Sequence, residues 1–91
     1  MYAAMVTVTI DDGKQDEALE RLKSQVVPTV KAAPGFVAGY WLRPEANNGF
    51  SLVVFDTEEH ARAAAPPVGV RLPDSNVTVD TVEFVEVAVS A

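Results

Sequence analysis

The chain contains no cysteine. Disulfides, thiolate metal ligands and cysteine nucleophiles are all excluded. Small secreted domains are commonly stapled by disulfides, so a cytoplasmic location is expected. Histidine is nearly as scarce: His60 is the single copy, which rules out an all-histidine metal site. Positive charge is also short. Seven Lys and Arg face 13 Asp and Glu, for a net charge of −6, and no run of bases occurs. A phosphate backbone would be repelled, so nucleic acid is not an expected partner. The first residues hold neither a basic segment nor a long apolar run, and no uncharged stretch nears the ~20 residues of a spanning helix. Neither a signal peptide nor a membrane anchor is expected. Gly35, Gly39 and Gly49 are scattered turn or strand positions that build no phosphate loop. Thr7, Ser51 and Thr57 lack a base and orienting acid at triad spacing. Glu83 and Glu86 fall on opposite faces of a regular strand, which makes them a poor acid–base pair. No metal and no cofactor is expected.

What is present is apolar. Of 91 residues, 48% are hydrophobic, with 4 Phe, 2 Tyr and 1 Trp. The length suits a single domain over residues 1–91. A chain this short buries roughly 60–65% of its unfolded surface. A surplus of apolar groups in so small a domain points to burial between subunits.

The periodicities order the elements. Alternation over residues 2–10 predicts a strand. Asp11 and Asp12 are candidate caps for the helix that follows, whose apolar stripe runs through Ala18, Leu19, Leu22, Val26, Val30 and Ala33. Pro28 interrupts this pattern and predicts a kink near Gln25. Pro34-Gly35 stops the helix. Residues 36–43 predict a second strand, with Phe36, Ala38, Tyr40 and Leu42 on one face and Val37, Gly39, Trp41 and Arg43 on the other. A loop over 44–49, closed by Asn48-Gly49, predicts a hairpin into a third strand over 50–56. Asp56 or Thr57 caps a short Ala-rich helix that ends at Pro66-Pro67. Residues 68–76, with Arg71 exposed, predict a mobile loop before a last strand over 77–89. Its apolar parity switches, which predicts either a bulge between residues 80 and 85 or a strand whose two ends bury different faces, one in its own subunit and one in a neighbour.

The order β-α-β-β-α-β is the ferredoxin-like, split βαβ arrangement: α+β, a four-stranded antiparallel sheet with two helices on one face. The open face still holds groups such as Val53, Val82 and Phe84 or their opposite-parity neighbours. Leaving each large side chain wet costs about 1.5–3 kcal/mol. A homodimer that stacks the open faces is expected.

Two segments carry a family resemblance. They are Val27-Pro28 through Ala32-Ala33-Pro34-Gly35-Phe36-Val37-Ala38-Gly39-Tyr40, and Ser51-Leu52-Val53-Val54-Phe55-Asp56-Thr57-Glu58-Glu59-His60-Ala61. Together they are similar to the dimeric α+β barrel superfamily, and more narrowly to small proteins of the antibiotic-biosynthesis-monooxygenase-like group. The resemblance implies paired sheets with helices outside and a ligand between the sheet and helices of one subunit. Haem-degrading members use an Asn on the first strand, a Trp on the third and a His on the second helix; only His60 matches here. Quinone-forming, cofactor-independent oxygenases rely on Trp, Asn and Tyr, which Trp41, Tyr40, Asn47 and Asn48 supply by type.

The candidate ligand-pocket residues are therefore His60, Trp41, Tyr40, Arg43, Asn47, Asn48 and Phe55, and none is assigned a catalytic role. Each also has a structural reading. His60 sits in the first turn of a helix, Trp41 and Tyr40 can be packing residues, and Arg43 can be a solvated or intersubunit ion-pairing group. Because His60 lacks its partners, the preferred function is a non-catalytic small-molecule-binding or structural module. The alternative is a cofactor-independent monooxygenase-like enzyme acting on an aromatic or polyketide-type compound, which calls for a closed cavity with polar tips beneath the second helix.

Overall fold

The computed structural model describes residues 1–66 and 76–91. Its strands are β1 (Tyr2–Ile10), β2 (Phe36–Leu42), β3 (Asn48–Phe55) and β4 (Val77–Glu86). The first helix comprises α1 (Gln15–Arg21), a π-helical turn (Leu22–Val26) and α2 (Val27–Lys31); the second is α3 (Glu58–Ala64). The sheet order is β2-β3-β1-β4, with every neighbouring pair antiparallel. This is the ferredoxin-like α+β fold. The expected loop over 68–76, with Arg71, lies outside the described residues except for Asn76.

Directly paired residues of an antiparallel sheet share a face. Ala4 pairs with both Val53 and Phe84, Val6 with Val82, and Val8 with Val79. These form the helix-covered face, where Val53, Phe55 and Ala61 make the core cluster and Val30, Ala33, Phe36, Trp41 and Phe84 pack around it. Val53, Val82 and Phe84 thus lie under the helices. The open face carries their opposite-parity neighbours: Leu52, Val54 and Val85, joined by Met5, Tyr40 and Phe50.

Local chemistry explains where the elements begin and end. Pro28 has no N–H to give, and the chain responds with a π turn just before it, while Thr29 Oγ1 donates to the Gln25 carbonyl at 2.7 Å. The expected kink is therefore a π turn over Leu22–Val26, and Val30 and Ala33 reach the core beyond it. Gly35 ends the crossover at φ 80°, and a Cβ there would overlap Asp56 Oδ1 and His60 Nδ1. Thr57 caps α3 by accepting from the His60 amide at 3.2 Å. The N-cap of α1 is Lys14, which makes no side-chain cap bond, although Asp16 and Glu17 occupy the first turn as expected.

Two boundaries and one strand irregularity differ from the sequence-based expectation. Asn48 and Gly49 belong to β3 and not to the hairpin turn, because β1 runs past the end of β2 and offers them partners, Thr9 and Val8. The last strand ends at Glu86, with Val87 held only by its amide bond to the Met1 carbonyl at 2.9 Å. A second irregularity, unforeseen, puts Val37 between Phe36 and Ala38, so Phe36 faces the helices while Ala38, Tyr40 and Leu42 face outward. The β4 bulge falls where the parity switch placed it, with Asp80 extra between Val79 and Thr81. It lies before Glu83, so Glu83 and Glu86 stay on opposite faces, beside Met5 and Tyr2.

Gly49 is small for a steric reason: a Cβ there would stand 2.8 Å from Val8 Cγ2. Gly49→Ala forces Val8 out of its rotamer or parts the strands. A net loss of about 1–2 kcal/mol is expected, after the entropic gain of replacing glycine, read as a lowered urea midpoint at unchanged slope.

Candidate functional site

The two helices meet the sheet differently. α3 presents Ala61, fully buried against Phe55 and Val53, because a methyl side chain lets backbone approach backbone. None of the residues of α1, the π turn or α2 is buried, and Leu19 is 37% exposed although it belongs to the inward stripe. Between this helix and the sheet lies a cavity of about 610 Å³. Its floor includes Val6, Val8, Ile10, Val53 and Val79; its roof is Ala18, Leu19, Leu22, Val26 and Val30. Ala64, Ala65 and Pro66 close one side. The space is therefore beneath the first helix. The Ala-rich second helix sits too close to its strands to leave one.

Of the sequence candidates, Trp41, Arg43 and Phe55 line this cavity, and Asn48, whose partner Thr9 lies on the open face, borders it at the start of β3. The Trp41 ring lies across its own strand: a Cβ on Gly39 would come 2.9 Å from Cη2 and Cζ3. Gly39 thus leaves room for the indole to lie over the sheet and form a flat wall. Phe55 is 1% exposed and meets Phe36 edge-on at 6.3 Å and 81°, so it fixes the floor.

The other three candidates lie elsewhere. Tyr40 is on the open face, 59% exposed. Asn47 ties the end of the sheet, its Nδ2 donating to the Ile10 carbonyl at 3.2 Å and its own carbonyl accepting from the Ile10 amide at 2.7 Å. His60 is outside the cavity lining, with Nδ1 2.6 Å from Asp56 Oδ1. Asp56 in turn donates its amide to the Gly35 carbonyl at 2.9 Å, so the pair clamps the turn into β2 to the start of α3. The hydrogen bond from the His60 ring is the main cause holding the Asp56 carboxyl below its ordinary value.

Sequence reasoning missed Arg21, Gln15, Gln25 and Ser51, which supply polar groups to the lining. Arg21 lay off the apolar stripe, yet it follows Ala18 by three residues and precedes Gln25 by four, the spacing of one helix face. That spacing was the available signal. Among the described residues no three of His, Cys, Asp and Glu gather as a metal site.

Comparison with known proteins agrees with this architecture. The family model described as antibiotic biosynthesis monooxygenase matches residues 1–65. Among solved structures, a point mutant of MhuD with two manganese protoporphyrin IX molecules bound per active site is similar over 100% of this chain and 98% of its own, with a TM-score of 0.64 and 17% identity. At that identity the likeness concerns the fold. No curated protein matches the chain.

The Asp56–His60 pair has a pH signature. A lowered folded-state pKa stabilises the fold above the ordinary aspartate range, and that contribution disappears as pH falls through the lowered value. His60→Ala should move the Asp56 titration, followed by carboxyl NMR shifts, upward toward the ordinary aspartate value. It should also shift the acid limb of the stability curve toward higher pH.

Proposed function

This chain belongs to the antibiotic biosynthesis monooxygenase family, and we propose that it is a small-molecule-binding member of it. Its ligand is an apolar or aromatic compound held between the first helix and the sheet. One observation carries this reading: an amphipathic helix buries none of its residues and stands over an apolar cavity of about 610 Å³. Apolar surface left this way is unfavourable by roughly 25 cal/mol per Å². A ligand that fills the space recovers that cost, and the volume is in the range of ordinary small-molecule sites, about 300–1,000 Å³. Trp41 supplies the flat wall and Ser51, paired with it on the same face, an orienting polar group.

Haem fits this cavity poorly. Its lining contains no histidine, cysteine, tyrosine or methionine to act as an axial ligand, and His60 is placed outside it beside Asp56. The alternative, cofactor-independent oxygenation, is favoured by the presence of Trp41 on the cavity wall. Such a reaction takes a methylene and O2 to a carbonyl and water, the substrate supplying the electrons. Its first step removes a proton from carbon, and among the described residues the lining has no His, Asp, Glu, Lys or Tyr to accept one. Binding without turnover is therefore preferred.

The same proposal includes a homodimer through the open sheet face. Tyr40, Leu42 and Val85 are 59%, 53% and 40% exposed there, and Phe50, Leu52 and Val54 share the face. The opposite half is polar, with Thr7 hydrogen-bonded to Thr81, and Thr9 donating to Asp80 at 2.6 Å. A two-fold partner seated on the β2–β3 half covers Tyr40, Leu42, Phe50, Leu52 and Val54, and leaves the β1–β4 half, Val85 included, outside the contact.

Trp41 is the only tryptophan, so it reports on the cavity directly. Titration with the neutral fluorophore N-phenyl-1-naphthylamine should quench Trp41 saturably with one probe per chain, and Val6→Phe, which fills the floor, should abolish this without unfolding. No saturable quenching would defeat the binding proposal. Oxygen uptake with an anthrone above the uncatalysed rate would replace it with the oxygenase. For assembly, sedimentation should give a dimer at micromolar concentration, and Leu42→Asp, which buries a charge in the interface, should give a monomer.

A further inference from the structure

We infer that the cavity selects aromatic compounds carrying a carboxylate, with the acid met by Arg21 and Arg43. This rests on the binding site proposed above and adds the charge of its ligand. The chain is acidic, with 13 acids to 7 bases, yet among the described residues the cavity lining reverses the balance: it includes two arginines and no Asp or Glu. Of the other described bases, Lys23 and Lys31 are exposed and outside the lining, and the remaining two are paired with carboxylates. Arg62 is bound twice to Glu58, at 2.8 and 2.9 Å, and lies over the Phe84 ring, and Lys14 is 3.6 Å from Glu17. Among the described residues, neither Arg21 nor Arg43 has a carboxylate within ion-pair distance. Arg21 makes a single neutral bond, from Nη1 to Gln25 Oε1 at 3.0 Å, which leaves donors of its planar fork free.

Placement gives the two arginines different roles. Arg43 follows the last residue of β2 and is exposed, at the end of the sheet from which the chain leaves β1 for α1. Arg21 closes α1 and is half-buried in the roof, beside Leu22. A guanidinium half out of water beside apolar side chains gains more from an anion than an exposed one does. Arg21 is therefore the principal contact and Arg43 the rim group that draws the anion in. An aromatic body then lies against Trp41 and the aliphatic floor, while the acid stays at the arginines. A neutral aromatic of the same shape meets the same apolar walls and forfeits the charged bonds.

The test compares 2-naphthoate with the near-isosteric neutral 2-naphthamide, each followed by Trp41 quenching. The expected result is tenfold or stronger preference for naphthoate, equivalent to about 1.4 kcal/mol or more. Arg21→Gln should remove most of that preference and Arg43→Gln a smaller part, each read as the ratio of naphthoate to naphthamide affinity within the variant. Equal binding of the two probes by the unmodified protein would overturn the inference and leave the binding site standing. Binding of neither would overturn both. If a glutamine variant fails to fold, the unmodified protein decides: the preference should shrink from low to high salt, and a preference indifferent to salt overturns the role of the arginines.

Discussion

The seating of Ala61 on the sheet is the contact on which the rest of the structure depends. A methyl side chain at that position lets α3 approach until Phe55 and Val53 are closed off, and Thr57 and the Asp56–His60 pair hold the start of the helix to the turn at Gly35. One helix is thereby spent on a close, dry contact over β1 and β3. The remaining half of the covered face is left to the first helix, whose stripe of Leu and Val side chains holds its backbone farther away. The cavity follows from that difference in side-chain size between the two helices.

The π turn belongs to the same logic. A regular helix through Pro28 would clash with the carbonyl of the preceding turn and waste a donor. The wider turn over Leu22–Val26 absorbs the misfit and lets Val30 and Ala33 anchor the far end against the core, while the near end stays lifted. The roof's far end is thus held by apolar packing, and at its near end Glu17 accepts a hydrogen bond from Asn76 Nδ2 at 3.1 Å. The sheet beneath it is rigid by comparison, with Trp41 laid over Gly39 and Phe55 locked by Phe36.

Apolar side chains cluster in two places: inside the cavity, and on the β2–β3 half of the open face. These are different kinds of vacancy. The first is concave, carries a few polar tips and two arginines, and suits a small molecule. The second is broad and sits beside a polar half of threonines and acids, the arrangement of an interface core with a polar rim. The membership shown by residues 1–65 is compatible with both. The family's fold hosts many chemistries, so the reactive groups on the cavity walls, and not the fold, weigh between binding and turnover.

Much of the architecture was legible in the residues. Alternation and helical spacing, punctuated by Gly13, Pro34-Gly35 and Thr57, determined the order of elements, and that order left two helices for one face. The parity switch in the last strand disclosed the bulge at Asp80. Trp41 and Tyr40, as adjacent strand residues, had to part to opposite faces, as they do. Tertiary structure alone decided which face each took, because the face depends on pairing register: Trp41 opposite Ser51, and Asn48 opposite Thr9, in strands far apart in sequence. It also decided that His60 would be spent on Asp56 and that Arg21 would join a cavity wall. Local periodicity reports which side of an element is apolar. How far that side stands from its neighbour depends on the bulk of the side chains it meets, and those come from elsewhere in the chain.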